Sequence, residues 1–455
     1  MVATPRTAEQ ASAERDFKLA LEQFRGLLPQ DTINGMQPMG PATVYTALVT
    51  VWLLVYQRLQ AGTTLMDAVS ELVQTNPDYL PKTRRVREQR LSSNTAAYSR
   101  ARTRLNPQVT PWLANHIYDK LVVALPPSLM GRRAFILDGT TIPLAPTKAL
   151  QAAFPPASNQ HGTGVWPIAH WLVAHELESG CAILPEIGPM YGAHAESEVD
   201  LTKKILRRLP IRSIMLADRN FGVFAVAHAT VQAGHDLLFR LTQSRFNAFV
   251  RCAKPLVSEG HGQRRWQLTW KPSWKDRKSH PELARDASVE VILHEVVISP
   301  KLTLWLVTTL SCTGTVLAEL YGRRQDVETD IRNLKLTLNT EQIQAKSLDM
   351  LHKEIAASII AYNLVIQLRR LAAKRVGVKP RRLSFAGTWS AVRIILLAPM
   401  TWDAEKWRQQ FALALRVAGQ RTIPNRPGRH FPRKAHPRRN KSTSIYKKQA
   451  PQQTK

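Results

Sequence analysis

Two aspartates end short apolar runs. Asp138 closes Phe135-Ile136-Leu137 and precedes Gly139; Asp218 closes Ile214-Met215-Leu216-Ala217. Each run reads as a strand covered on both faces, as in a parallel or mixed sheet. One such aspartate is an ordinary turn residue. Two at matching ends of neighbouring parallel strands stand side by side, repel and desolvate each other, and a bound cation relieves this. The pair points to metal-ion chemistry.

A third acid lies in LAELYGRRQDVETDIRNLKLTLN. On a helix turning about 100° per residue, Tyr321, Arg324, Glu328 and Lys335 share a sector roughly 60° wide. Val327, Ile331, Leu334 and Leu338 form the adjoining core stripe, with Asp326 and Asp330 on the far side. An Arg324–Glu328 pair at i, i+4 accounts for an acid and a base on a solvated face. It leaves unexplained why a tyrosine and a lysine share that stripe. Glu328 is therefore the acid expected to join Asp138 and Asp218, with Asp326 and Asp330 dispensable.

The elements that must position these residues follow from periodicity. Residues 1–130 read as helical: Tyr45 to Tyr56 is too short and too rich in helix formers for a bilayer span and reads as a core helix, and Thr64 with Asp67 suits a helix start. AFILDGTTIPL reads as a strand, WPIAHWLVAHELESGCAILPEIG as a hairpin turning at Glu178-Ser179-Gly180, and SEVDLTKKIL as a helix capped by Ser197 with Asp200 three residues on. Strand, helix and strand follow through HDLLFRLT. The order strand, hairpin, helix, strand, helix, strand is that of a ribonuclease H-like α/β core, a mixed sheet with helices, here 131–241. Residues 242–312 read as a β-rich insertion, and 313–375 as the final core helices. Residues 376–420 read as further helix, and 421–455 as a basic tail, disordered on its own, with eleven Lys and Arg and no acid.

Composition bounds the partner. The chain of 455 residues is 44% apolar, enough for a sizeable core, and has 63 Lys and Arg against 34 Asp and Glu, a net charge of +29. Such charge repels itself in a compact fold and calls for a polyanion, best nucleic acid. A membrane partner is not expected, for lack of a long basic amphipathic helix. Cys181, Cys252 and Cys312 are odd in number and lack zinc-ligand spacing, which suits a reducing, cytoplasmic setting. The polar N-terminus, which carries acids, does not read as a signal peptide.

Tyr321-x2-Arg324-x3-Glu328-x6-Lys335, with Asp138 in LDGT and Asp218 in ADRNF, resembles the Y-R-E-K signature of the IS-four family of bacterial insertion-sequence transposases. Similarity is clearest from about Arg133 to Arg370. The resemblance implies a DDE transposase that cuts and rejoins double-stranded DNA at terminal inverted repeats and at a target. It implies two Mg²⁺ ions, with Mn²⁺ able to substitute, held by Asp138, Asp218 and Glu328. It further implies end cleavage through a hairpin, a homodimer on paired DNA ends, DNA-phosphate contacts from Tyr321, Arg324 and Lys335, end recognition by residues 1–130, and a cytoplasmic, nucleoid-associated location. The family stacks an insertion tryptophan on a flipped base. Trp266, Trp270 and Trp274 are candidates, though alternating tryptophans also pack sheets.

Other residues have two readings. Arg219 and Arg240 suit phosphate contact or plain ion pairing, and Arg100, Arg102 and Arg104 suit a solvated helix face or phosphate contact. His194 reads as a surface histidine. A ribonuclease H-like nuclease without strand transfer, a non-catalytic DNA-binding descendant of a transposase and a basic RNA-packaging protein are the rival functions.

Overall fold

The computed structural model describes residues 26–40, 42–60, 62–75, 80–160, 162–257, 263–337, 343–397 and 404–424. The polar N-terminus, Leu338 and the basic tail beyond residue 424 lie outside them. The chain divides into two compact units. One takes Met1–Leu125 with Arg332–Arg439, the other Pro126–Ile331 with Asn440–Lys455. The helical stretch expected as one piece, 313–375, is thus shared between them.

The second unit holds a ten-stranded mixed sheet. Its strands are β1 (Ala134–Pro143), β2 (Pro156–Asn159), β3 (Gly162–Glu176), β4 (Glu186–Pro189), β5 (Ile214–Ala217), β6 (Asp236–Arg240), β7 (Lys254–Pro255), β8 (Gln263–Trp270), β9 (Val289–Ser299) and β10 (Leu302–Thr308). Their order is β2-β3-β1-β5-β6-β10-β9-β8-β7, with β4 on β3. The three apolar runs β1, β5 and β6 are adjacent and parallel. Their continuous burial, all four residues in β5, is what a strand covered on both faces needs. The helices Glu198–Leu206 and Phe224–Gln232 make the crossovers. The first carries the capping box expected at Ser197 and Asp200.

The β-rich segment builds no separate sheet. β10 pairs antiparallel with β6, and β9, β8 and β7 continue the same sheet outward. Helix Gly314–Gly322 then returns, and Leu317, Leu320, Tyr321 and Val327 pack with Ile136, Leu216, Leu238 and Leu306 in one core. That core joins the strands bearing both aspartates to the segment bearing Arg324 and Glu328.

In the first unit, helix Leu348–Arg375 is the centre, buried along most of its length. It packs on the helices Ala47–Leu59, Val109–Val123, Phe385–Leu397 and Ala404–Gly419. By length and hydropathy it could cross a membrane, but 89% of its apolar window is buried inside the protein. A helix apolar all round has no solvent face, and here its surroundings are other helices. The Ala47–Leu59 helix is likewise a core helix, as its apolar run predicts.

Candidate active site

Asp138 lies within β1 and Asp218 one residue past β5. Ile136 pairs with Leu216 in the parallel register, so both aspartates stand two residues beyond the same rung. Their side chains interact: burial and Asp218 push the Asp138 carboxyl up, Arg324 pulls it down, and the balance lies at about 6. Burial is the largest cause. A carboxylate pressed toward protonation by burial and a like charge is what a cation relieves, so the donor pair fits a metal ion.

The structure brings several sequence-predicted residues to this pair. Tyr321 comes from the return helix, Arg324 from the turn that follows it and Arg240 from the end of β6. Tyr321 is buried, and its hydroxyl is pushed up to about 12 by burial, with Arg324 and Arg240 acting the other way and Asp218 adding to the rise. Arg219, beside Asp218, is exposed, and so is His194, as expected. Gly222 lets the loop after Asp218 close on β6, because a Cβ there would meet the Arg240 carbonyl at 2.8 Å.

The uniform helix face drawn from Tyr321 to Lys335 needs correction. The segment runs as α-helix to Gly322, a 3₁₀ turn over Arg323–Gln325, α-helix over Asp326–Arg332 and a π turn over Asn333–Thr337. A constant step of about 100° holds in neither the tighter nor the wider turn. Lys335 lies in the π turn and belongs to the first unit. Glu328 is about half exposed and pairs with Arg324 at 3.7 Å. Among the described residues no three His, Cys, Asp or Glu side chains converge to ligate one ion. Asp330, expected on the far side, is fully buried with its Oδ2 3.9 Å from His175 Nδ1.

The 3₁₀ turn has a visible consequence. Arg323 and Arg324 are consecutive yet serve different partners. Arg323 forms a two-pronged pair with Glu178, at 2.5 and 3.1 Å, and donates to the Leu177 carbonyl at 3.2 Å. Glu178 and Leu177 belong to the tight turn after β3. That turn is itself held by the buried Glu176 carboxylate, which accepts from the Glu178 and Ser179 amides and the Ser179 hydroxyl. Arg323 and Asp330 therefore tie the signature segment to one rigid hairpin, leaving Arg324 for the acids.

Sequence reasoning missed Glu198 and His170. Glu198, the first residue of its helix, reaches over Gly139, where a Cβ would come within 2.9 Å of its Cδ, and it adds to the upward push on Asp138. His170 on β3 faces it at 3.9 Å, and Glu198 raises the imidazole's pKa. The signal was present: capping by Ser197 already placed Glu198 at a helix start following the sheet.

The tryptophans separate by burial. Trp270 is 4% exposed and packs on Phe224 and Phe249, at ring distances of 5.9 and 5.0 Å. It is core, which corrects its assignment as a DNA contact. Trp266 is partly buried, edge-on to Phe246, with Arg264 over its ring. Trp274 is 72% exposed, with the Lys278 ammonium 5.3 Å from its ring centre. Arg102 is not a solvated helix-face charge: its side chain is mostly buried and pairs with the buried Glu354 at 2.7 Å.

The site is thus two neighbouring aspartates on adjoining parallel strands of a mixed sheet, with the Arg324 guanidinium beside them. The family model "Transposase DDE domain" matches residues 129–364, just over half of the chain, and the protein belongs to that family. Membership implies a DNA-binding, metal-dependent, DNA-cleaving transposase. No curated protein matches the sequence.

Proposed function

We propose that the protein moves an insertion sequence of the IS-four type by cut and paste, nicking each end, closing and reopening a hairpin, and joining the freed 3′ ends to target DNA. The observation that carries this reading is the in-register Asp138–Asp218 pair with Arg324, Tyr321 and Arg240 gathered on it. Asp138, Asp218 and Glu328 would hold two magnesium ions, or manganese in their place. When bound, these supply Lewis-acid stabilisation of the attacking and leaving oxygens.

The chain's own residues do the rest. Arg324 stands in for a cation between Asp138 and Glu328; on DNA its planar fork turns to a backbone phosphate and frees Glu328 for the metal site. Arg240 and Arg219 neutralise phosphates near the acids, and Lys335 contributes a DNA-phosphate contact of its own. The Tyr321 hydroxyl, held protonated by burial, donates to a phosphate oxygen. Trp274, exposed, would be the insertion tryptophan that stacks on an unpaired base. Residues 1–130 recognise the terminal repeats, and two protomers hold two ends in the cytoplasm, at the nucleoid.

The test is nicking and strand transfer on a duplex bearing the terminal repeats in Mg²⁺, with Asp138→Asn, Asp218→Asn and Glu328→Gln compared with wild type at equal DNA occupancy. Metal-dependent nicking followed by joining supports a transposase. Nicking without joining of pre-cut ends identifies a nuclease instead.

A further inference from the structure

Helix Leu348–Arg375 begins with two buried charges of opposite sign, Lys353 and Glu354. Lys353 is well matched. Its ammonium donates to the Arg102 and Thr103 carbonyls at 3.2 Å and to Asp349 at 2.6 Å. Those carbonyls end the helix Ala96–Arg104, whose partial negative charge a cation suits.

Glu354 is not matched one to one. Its single carboxylate takes Arg58 at 3.1 Å and Arg102 at 2.7 Å, and also accepts from the Gln344 amide at 3.2 Å. The triad leaves one positive charge in excess away from bulk water. Arg58 is nine-tenths buried, and the Nε of both Arg58 and Arg102 is buried with no hydrogen-bond partner among the described residues. Burial opposes the Arg58 charge, Glu354 supports it and Arg102 opposes it again. An unpaired buried donor on a charged group costs on the order of 1–3 kcal/mol, so the triad holds its excess positive charge at a cost that a nearby anion would offset.

The two arginines, with Glu354 between them, line a cavity of about 470 Å³, so its wall carries a net positive charge. Gln57, Thr63, Ser99, Lys346 and Ser347 supply further amide, hydroxyl and ammonium groups to its wall. The amino end of the long helix, capped by Ser347, opens on it as well and adds positive potential.

We propose that this cavity is an anion site for one phosphate group, supplied by the backbone of bound DNA. Guanidinium forks, hydroxyls and a rim lysine form the donor set that phosphate uses and that an uncharged ligand leaves unsatisfied. DNA is favoured over a free phosphate because Arg100 and Arg104 are exposed on the helix that presents Arg102, so that helix carries a basic outer surface to the mouth. The DNA half of the proposal rests on the transposase reading; the phosphate half does not.

The test leaves the triad intact. Ser99→Asp places a carboxylate on the cavity wall, Ser99→Asn keeps the shape without the charge, and Lys346→Ala removes the rim cation. Inorganic phosphate, titrated into the full chain at constant ionic strength, should raise the unfolding temperature of wild type and Ser99→Asn but not of Ser99→Asp. Ser99→Asp and Lys346→Ala should each weaken duplex binding about fivefold or more and lower the salt slope by about one. Loss of the phosphate effect in Ser99→Asp with unchanged duplex binding supports the anion site and makes its occupant a free phosphate-bearing molecule. Equal phosphate response in wild type and Ser99→Asp, with no change in duplex binding, overturns the proposal. Both readouts are binding, so a failure of cleavage chemistry leaves them independent.

Discussion

Asp138 and Asp218 each lie two residues past the Ile136–Leu216 rung that joins neighbouring parallel strands, close enough for Asp218 to push the Asp138 carboxyl up. Parallel pairing makes this possible, since both chains run the same way past that rung; β5 ends at Ala217, while β1 continues beside β3 to Pro143. The cost is electrostatic. Asp138 sits partly buried beside a like charge, with its pKa at about 6.

That cost predicts a pH effect in the metal-free protein. The folded pKa of Asp138 lies above its unfolded value near 3.8. The folded state therefore binds more protons than the unfolded state between these values, and stability falls as pH rises through about 6. In EDTA at pH 7.5, Asp138→Asn should be more stable than wild type by about 1–3 kcal/mol, and the gain should vanish below pH 4. Denaturant melts at both pH values measure this. A variant less stable than wild type at pH 7.5 contradicts the electrostatic account.

The Arg323–Glu178 tie predicts a repairable defect. Arg323→Glu should lower nicking about tenfold or more, because it releases the turn that aims Arg324, while gel-shift affinity changes little. The double variant with Glu178→Arg should regain much of the rate. No recovery in the double variant would reduce Arg323 to a plain surface charge.

Asp326 and Asp330 should differ in stability and agree in chemistry. Asp330 is buried beside His175 and Asp326 partly exposed. Asp330→Ala should cost about 1–3 kcal/mol, Asp326→Ala less than about 0.5 kcal/mol. Nicking per folded molecule should stay near wild type in both. A dead but stable Asp330→Asn would move the third acid from Glu328 to Asp330.

Trp270 and Trp274 should part the opposite way. Trp270→Ala empties a packed site and should cost about 3–5 kcal/mol. Trp274→Ala should fold normally yet slow hairpin formation, read on a duplex already nicked at the end. Normal hairpin rates in Trp274→Ala would remove it from the DNA interface.

The strands bearing the aspartates, their parallel adjacency, the hairpin turn at 178–180, the Ser197 cap and the core helix at 47–59 were all legible, because each rests on local patterning: apolar runs, turn residues, a capping pair. Three kinds of feature were not. The break in the signature helix comes with a pairing of Arg323 to Glu178, more than a hundred residues earlier in the chain, which periodicity along the segment does not contain. The burial of Asp330 and Trp270 depends on what faces them, which periodicity along one segment does not contain. The Arg58–Glu354–Arg102 triad joins residues from three helices, so neither reading of Arg102, a solvated face or a phosphate contact, could contain its pairing with Glu354. Glu198 shows the converse: its helix position was legible, but its approach to Asp138 required the sheet.

The central claim is that Asp138, Asp218 and Glu328 act together in metal-dependent cleavage. The most direct measurement is single-turnover nicking of an end-bearing duplex in Mg²⁺ by wild type, Asp138→Asn, Asp218→Asn and Glu328→Gln, with DNA occupancy matched by gel shift. The account predicts that all three variants bind DNA and that each loses nicking by about a thousandfold or more. A Glu328→Gln protein that nicks at the wild-type rate would contradict it.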